Sequence, residues 1–216
     1  MMYRLSNTSK KLTGSVDLTA SKSESNRALI IRALCSDPFE ITNLATAQDT
    51  QVLQQILKAE AENTASENHY DVGPAGTTMR FLTAYFAARP GTHVITGSDR
   101  MKKRPIGILV NALRTLGANI TYIEKEGFPP LRIEGKTLKG GEVEIDGNVS
   151  SQFISALLLV SPAFQNGLVI KFKGEITSRP YINMTLKMRE EVGVYVVWQE
   201  KSISVSKQSY TVEEEN

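Results

Sequence analysis

Cysteine is nearly absent from this chain: Cys35 is the only one in 216 residues. That excludes an internal disulfide and suits a reducing compartment. Histidine occurs only as His69 and His93. Neither lies in a Cys or His cluster, so no metal site is expected. Long apolar runs are missing too; none approaches the roughly 20 residues needed to span a bilayer. Neither sign of charge dominates, with a formal net charge of +2. No strong field for nucleic acid follows from that balance. No dinucleotide fingerprint and no Ser/His/Asp set stands out. The opening residues, Met1 to Ser6, hold no apolar signal core, which leads to the expectation of a cytoplasmic protein. A hydrophobic fraction of 41% and a charged fraction of 22% are those of a soluble globular chain. Its length fits one large domain or two small ones.

What is present is a pattern that occurs three times. A short apolar strand with one acid in it runs into a small, polar corner and then into an apolar helix. The strands are Val16-Asp17-Leu18, Tyr70-Asp71-Val72 and Val143-Glu144-Ile145. A hydroxyl follows at a fixed distance each time: Ser23, Thr77 and Ser150. The apolar runs are Ala28 to Leu34, Phe81 to Ala87 and Phe153 to Val160. A helix start exposes unpaired N–H groups and partial positive charge, so three corners gathered at one end would attract anions.

The repeat continues past each helix. Second strands are expected at Phe39 to Thr42, His93 to Thr96 and Leu168 to Lys171. Second helices are expected around Val52 to Leu57, from Pro105 to Gly117, and from Arg179-Pro180 to Gly193. Closing strand pairs are expected at Ile120 to Ile123 with Leu131 to Ile133, and at Val194 to Trp198 with Ser202 to Val205. The fold class is therefore α/β (α+β): a pseudo-threefold domain of β-α-β-α-β-β repeats over residues 14–206, with units of about 14–68, 69–140 and 141–206. Residues 1–13 read as a strand outside it and 207–216 as a linker or tail.

Corner one, Ser21 to Arg27, sets Lys22 and Arg27 among hydroxyls. Lys22 suits a phosphate, and the planar fork of Arg27 suits a carboxylate. The same residues equally fit a Ser N-cap with both cations solvated. Corner two, Gly73 to Arg80, contains Gly76, where a ligand could approach the backbone; taken alone it reads as a structural turn. Corner three, Gly147 to Gln152, offers Ser150, Ser151 and Gln152, which in isolation also fit capping. Arg104, set against Pro105, is the cation of the basic run Arg100 to Arg104 expected to be fixed in place. Ser178 and Tyr181 occupy the matching place in unit three. Cys35 and Trp198 read as core packing.

Together these residues resemble the family of 3-phosphoshikimate 1-carboxyvinyltransferases, the 5-enolpyruvylshikimate-3-phosphate synthases. Ser21-Lys22-Ser23 with Asn26-Arg27-Ala28-Leu29 is similar to its first signature, and Ala75-Gly76-Thr77 with Met79-Arg80 to its second. Lys102, Arg104 to Gly107, Ser150 to Phe153, and Ser178 with Pro180-Tyr181 are similar to later ones. The likeness runs from about Leu12 to Tyr210.

The resemblance implies an inverted half-barrel of the enolpyruvyl transferase type. It implies transfer of enolpyruvyl from phosphoenolpyruvate to the 5-hydroxyl of shikimate-3-phosphate, with no metal or organic cofactor. By resemblance, Lys22 is catalytic. Lys22, Ser23, Arg27, Ser150, Ser151, Gln152, Ser178 and Tyr181 would bind shikimate-3-phosphate, with Arg27 at its carboxylate. Lys22, Gly76, Arg104 and Gln152 would bind phosphoenolpyruvate. The family has a second domain that carries its general base, so the chain is expected to be the N-terminal half, inactive alone, with that C-terminal domain and two anionic small molecules as partners. Nucleic acid and membrane are not expected as partners. Pro74, Thr78 and Phe81 depart from the second signature, which puts sensitivity to the inhibitor glyphosate in question. Two other readings are half of a UDP-N-acetylglucosamine enolpyruvyl transferase and a phosphate- or RNA-end-binding module like the RNA 3′-terminal phosphate cyclases.

Overall fold

A computed structural model describes residues 3, 6, 11, 13–62 and 65–212. The strand expected over residues 1–13 lies mostly outside them.

Among the described residues, six α-helices form a ring in sequence order: α1 (Lys22–Leu34), α2 (Gln48–Glu62), α3 (Gly76–Ala87), α4 (Gly107–Thr115), α5 (Ser151–Val160) and α6 (Arg179–Glu190). Each packs on the next, and α6 closes back on α1. The odd-numbered helices also touch one another across the middle. Their sequences explain the inner position. Every residue of α3 is buried, as is every residue of α5 except Gln152. Helices buried on every side, as these two nearly are, sit inside the core.

Among the described residues, two four-stranded sheets flank the ring, with identical topology. In the first, β1 (Asn68–Asp71), β2 (Gly91–Thr96), β4 (Leu131–Gly135) and β3 (Asn119–Tyr122) lie in that order. In the second the order is β5 (Gly141–Asp146), β6 (Leu168–Lys173), β8 (Ser202–Val205) and β7 (Val197–Gln199). The opening pair is parallel in both, with Asp71 opposite Thr96 and Asp146 opposite Lys173. The other pairings are antiparallel. Alternation sets the faces. Val143 and Ile145 turn inward while Glu142 and Glu144 face water, where Glu142 pairs with Lys171 at 2.7 Å.

The even helices α4 and α6 end identically. Gly117 (φ 103°) and Gly193 (φ 77°) take the left-handed turn. Ala118 N–H then reaches Leu113 O at 2.9 Å, and Val194 N–H reaches Arg189 O at 3.0 Å. This is a Schellman-type stop, for which glycine is the suited residue. It also corrects one expectation: Val194 belongs to the helix stop, so β7 starts at Val197 rather than at Val194.

Unit one departs from the repeat. It keeps its two helices, but neither Val16 to Leu18 nor Phe39 to Thr42 forms a strand. Val16 is 81% exposed and Leu18 90%. Their counterparts Tyr70, Val72, Val143 and Ile145 are buried. A strand exists only with neighbours to pair and pack against. Residues 63–67 alone separate α2 from β1, which leaves no room for a closing strand pair. The expected tail is partly anchored: Tyr210 is buried and donates to Leu159 O at 2.8 Å, and Thr211 N–H reaches Val192 O.

Candidate functional site

The three corners are the first turns of α1, α3 and α5, so each helix starts earlier than its apolar run. Ser21 caps α1, accepting from Glu24 N–H at 3.3 Å. Ser150 caps α5, accepting from Gln152 N–H at 3.4 Å. The cap of α3 is Ala75, which has no side-chain oxygen to offer. Its orphan donors need another acceptor, and α2 supplies one. Thr77 N–H donates to Asp49 Oδ2 at 3.4 Å, and the Thr78 hydroxyl donates to the Asp49 carbonyl at 2.7 Å. Lys22 Nζ lies 3.9 Å from the same Asp49 oxygen. Gln152 Nε2 donates to Thr77 Oγ1 at 3.2 Å. A continuous chain thus joins Lys22 of corner one, Asp49, Thr77 of corner two and Gln152 of corner three.

Arg104 completes this face. Its guanidinium lies against Gly76 so closely that a Cβ there would collide with it. Arg80 lies beneath, bonded to Gly76 O at 2.8 Å and stacked 5.2 Å over Phe153. Burial and the nearby Arg104 charge lower the Arg80 pKa to about 10. A cluster of Lys22, Arg80 and Arg104 at a helix start favours an anionic ligand. Within the basic run, Lys102 is paired with Glu124 at 2.7 Å and Lys103 is exposed.

Ser21 caps α1 and Lys22 is exposed, as the capping reading of corner one expects, but Arg27 is not solvated. It is 2% exposed and bonded to Thr185 Oγ1 (2.7 Å), Ser23 O (2.7 Å), Ser155 Oγ (3.0 Å) and Tyr181 O (3.4 Å). Phe81 packs 5.6 Å from it. Burial lowers its pKa to about 10, so it stays cationic at neutral pH.

The remaining sequence candidates are placed less tightly. Ser23 is half-buried, Ser150 exposed and Ser151 buried; Ser178, half-buried, heads α6, and the Tyr181 ring is half exposed. Among the described residues, no hydrogen bond links the side chains of Ser150, Ser151 or Ser178 to another corner. Cys35 is buried, and burial raises its thiol pKa. Trp198 packs against the core, with Arg179 5.6 Å over its ring.

Asp49 was missed by sequence reasoning. Its signal is an acid in the first turn ahead of the run Val52, Leu53, Ile56 and Leu57. Ser155 and Thr185 were missed as well; each is a fully buried hydroxyl on a helix.

Comparison with known proteins follows the same lines. The family model for EPSP synthase (3-phosphoshikimate 1-carboxyvinyltransferase) matches residues 6–68 and 59–211. The 3-phosphoshikimate 1-carboxyvinyltransferase of Bacteroides fragilis (strain YCH46) is 51% identical over 211 residues, which is 97% of this chain and 50% of that relative. That of Sulfurovum sp. (strain NBC37-1) is 45% identical over 205 residues, 86% of this chain and 48% of the relative. An EPSP synthase structure from Acinetobacter baumannii superposes with a TM-score of 0.78 at 23% identity, covering 92% of this chain and 48% of that one. That likeness shows the fold. The chain spans about half the length of the curated relatives it matches. On the strength of the family match, this chain belongs to the EPSP synthase (3-phosphoshikimate 1-carboxyvinyltransferase) family.

Proposed function

We propose that this chain forms the shikimate-3-phosphate side of an enolpyruvyl transferase. The reaction would move the enolpyruvyl group of phosphoenolpyruvate to the 5-hydroxyl of shikimate-3-phosphate and release phosphate. The observation that carries this reading is the chain of contacts Lys22–Asp49–Thr77–Gln152, one ion pair and two hydrogen bonds, which links the three corners beside Arg104 and Arg80. Both substrates are polyanions, and charge-assisted hydrogen bonds are the strong ones.

In this reading Lys22 bridges the two substrates as the catalytic cation. Ser150, Ser151 and Ser178 take the 3-phosphate, Arg27 the carboxylate, and Ser23, Gln152 and Tyr181 the ring. Gly76, Arg104 and Gln152 take phosphoenolpyruvate. The domain spans residues 14–206, and its setting is the cytoplasm. Holding two reactants together in a closed site would supply much of the rate. Turnover would call on the half of the relatives that this chain does not match.

Calorimetric titration with shikimate-3-phosphate, with shikimate as control, tests the reading. Saturable binding that needs the 3-phosphate is expected. No binding by a chain shown folded by circular dichroism would remove the claim that these corners form a substrate site.

A further inference from the structure

Ser155 and Thr185 lie on α5 and α6, and both are fully buried. A hydroxyl taken out of water needs partners, and here all of them lead to Arg27. Arg27 Nε donates to Thr185 Oγ1 at 2.7 Å, and Nη2 donates to Ser155 Oγ at 3.0 Å. The two hydroxyls lie 2.8 Å apart. The Thr185 hydroxyl donates onward to Tyr181 O at 3.0 Å. That orders the protons: Ser155 donates to Thr185, which accepts twice and donates once. The network is complete, and a complete buried network fixes geometry.

Two features show what the geometry is for. First, among the described residues no carboxylate bonds or ion-pairs with Arg27: its direct partners are neutral oxygens, and Glu24 acts on its charge only through space. Second, the bonds leave one donor spare. Nε spends its single N–H, Nη2 spends both on Ser155 and Tyr181 O, and Nη1 spends one on Ser23 O. The second N–H of Nη1 remains, on the same nitrogen that bonds Ser23 O of corner one.

We propose that Ser155 and Thr185 are positioning residues that aim Arg27: they hold its guanidinium plane so that the Nη1 edge meets a ligand carboxylate at corner one. The inference rests on the reading that Arg27 pairs with the substrate's carboxylate, and it deepens that reading by naming what orients the pair. Neither hydroxyl touches the ligand. Both act through Arg27.

The test uses the whole chain and two readouts. The first is arginine modification by phenylglyoxal, followed at Arg27 by mass spectrometry, with buried Arg80 as internal reference. Ser155→Ala and Thr185→Val should each speed modification of Arg27 several-fold and leave Arg80 unchanged, while Ser155→Thr and Thr185→Ser should restore the wild-type rate. The second is calorimetric binding of shikimate-3-phosphate and of its carboxamide analogue, which keeps the phosphate and loses only the carboxylate charge. Each of the two disruptive variants should weaken the carboxylate ligand roughly tenfold and the carboxamide little. In an Arg27→Ala background the further loss should vanish.

Unchanged Arg27 modification in both variants would overturn the proposal, and so would a Thr185→Val loss that persists without Arg27. Faster modification of Arg80 as well would show general loosening, which also overturns it. If the wild-type chain binds neither ligand while Arg27 alone becomes reactive in the variants, the positioning role stands and the substrate reading falls.

Discussion

Gln152 Nε2 donates to Thr77 Oγ1 at 3.2 Å, joining the first turns of two helices 75 positions apart in sequence. This bond ties corner three to corner two. Gln152→Ala should therefore weaken shikimate-3-phosphate binding by about 1 kcal/mol, the worth of one hydrogen bond. Titration calorimetry reads the loss. Circular dichroism should stay unchanged, because Gln152 is the one residue of α5 that is not buried.

Arg27 and Lys103 separate a shaped site from bulk charge. Arg27 is buried and fully oriented, whereas Lys103 is exposed. Arg27→Ala should cost about 2 kcal/mol or more of shikimate-3-phosphate affinity, by losing a charge-assisted pair. Lys103→Ala should cost under about 0.5 kcal/mol, as exposed charges usually do. Equal losses would mean that net charge alone does the binding. Arg27→Lys should not rescue, since an ammonium cannot reproduce the planar fork.

Gly76 makes a prediction that sets stability against binding. A Cβ there would strike the end of the Arg104 side chain rather than backbone. That end can swing away, so the urea midpoint of Gly76→Ala should move little; alanine is also the better helix residue. The displaced guanidinium should lower affinity for phosphoenolpyruvate severalfold while shikimate-3-phosphate binding changes less. A variant with unchanged phosphoenolpyruvate affinity would remove Arg104 from that role.

Asp49 gives a prediction about helix capping. It is the acceptor that α3 lacks in its own cap. Asp49→Ala should destabilise the chain by roughly 0.5–2 kcal/mol, the range for losing a cap. Asp49→Asn keeps an acceptor and should lose less. Urea unfolding at neutral pH checks the order of the two.

Units two and three were legible because their punctuation is local. Pro105 and Gly117 bracket α4, Pro180 and Gly193 bracket α6, and alternation marks β1, β2, β5 and β6. The same reading failed for the strands of unit one. Val16 and Leu18 alternate just as Val143 and Ile145 do, but pairing is a property of two segments and cannot be read from one. The site divides the same way. Caps such as Ser21 and Ser150 bond within a turn and were visible. Asp49, Ser155 and Thr185 were not, because their bonds to Thr77 and Arg27 span 28, 128 and 158 positions.

His93 makes the stability of the chain depend on pH. Its ring is fully buried, stacked 4.1 Å from Phe86, with Tyr70 on the same stack. Burial is the main cause that lowers its pKa below the ordinary 6.5; Glu60, 3.6 Å from Nδ1, opposes the shift and Arg89 adds to it. The folded chain therefore resists a proton that the unfolded chain accepts. Between the folded pKa and about 6.5 the unfolded state holds more protons, so stability rises with pH across that window and falls as pH drops through it. Urea midpoints measured from pH 7 to pH 5 should decline. His93→Gln cannot titrate and should flatten that decline, even if its midpoint at pH 7 is lower from lost stacking. An equal slope in both proteins would assign the decline to carboxylates instead.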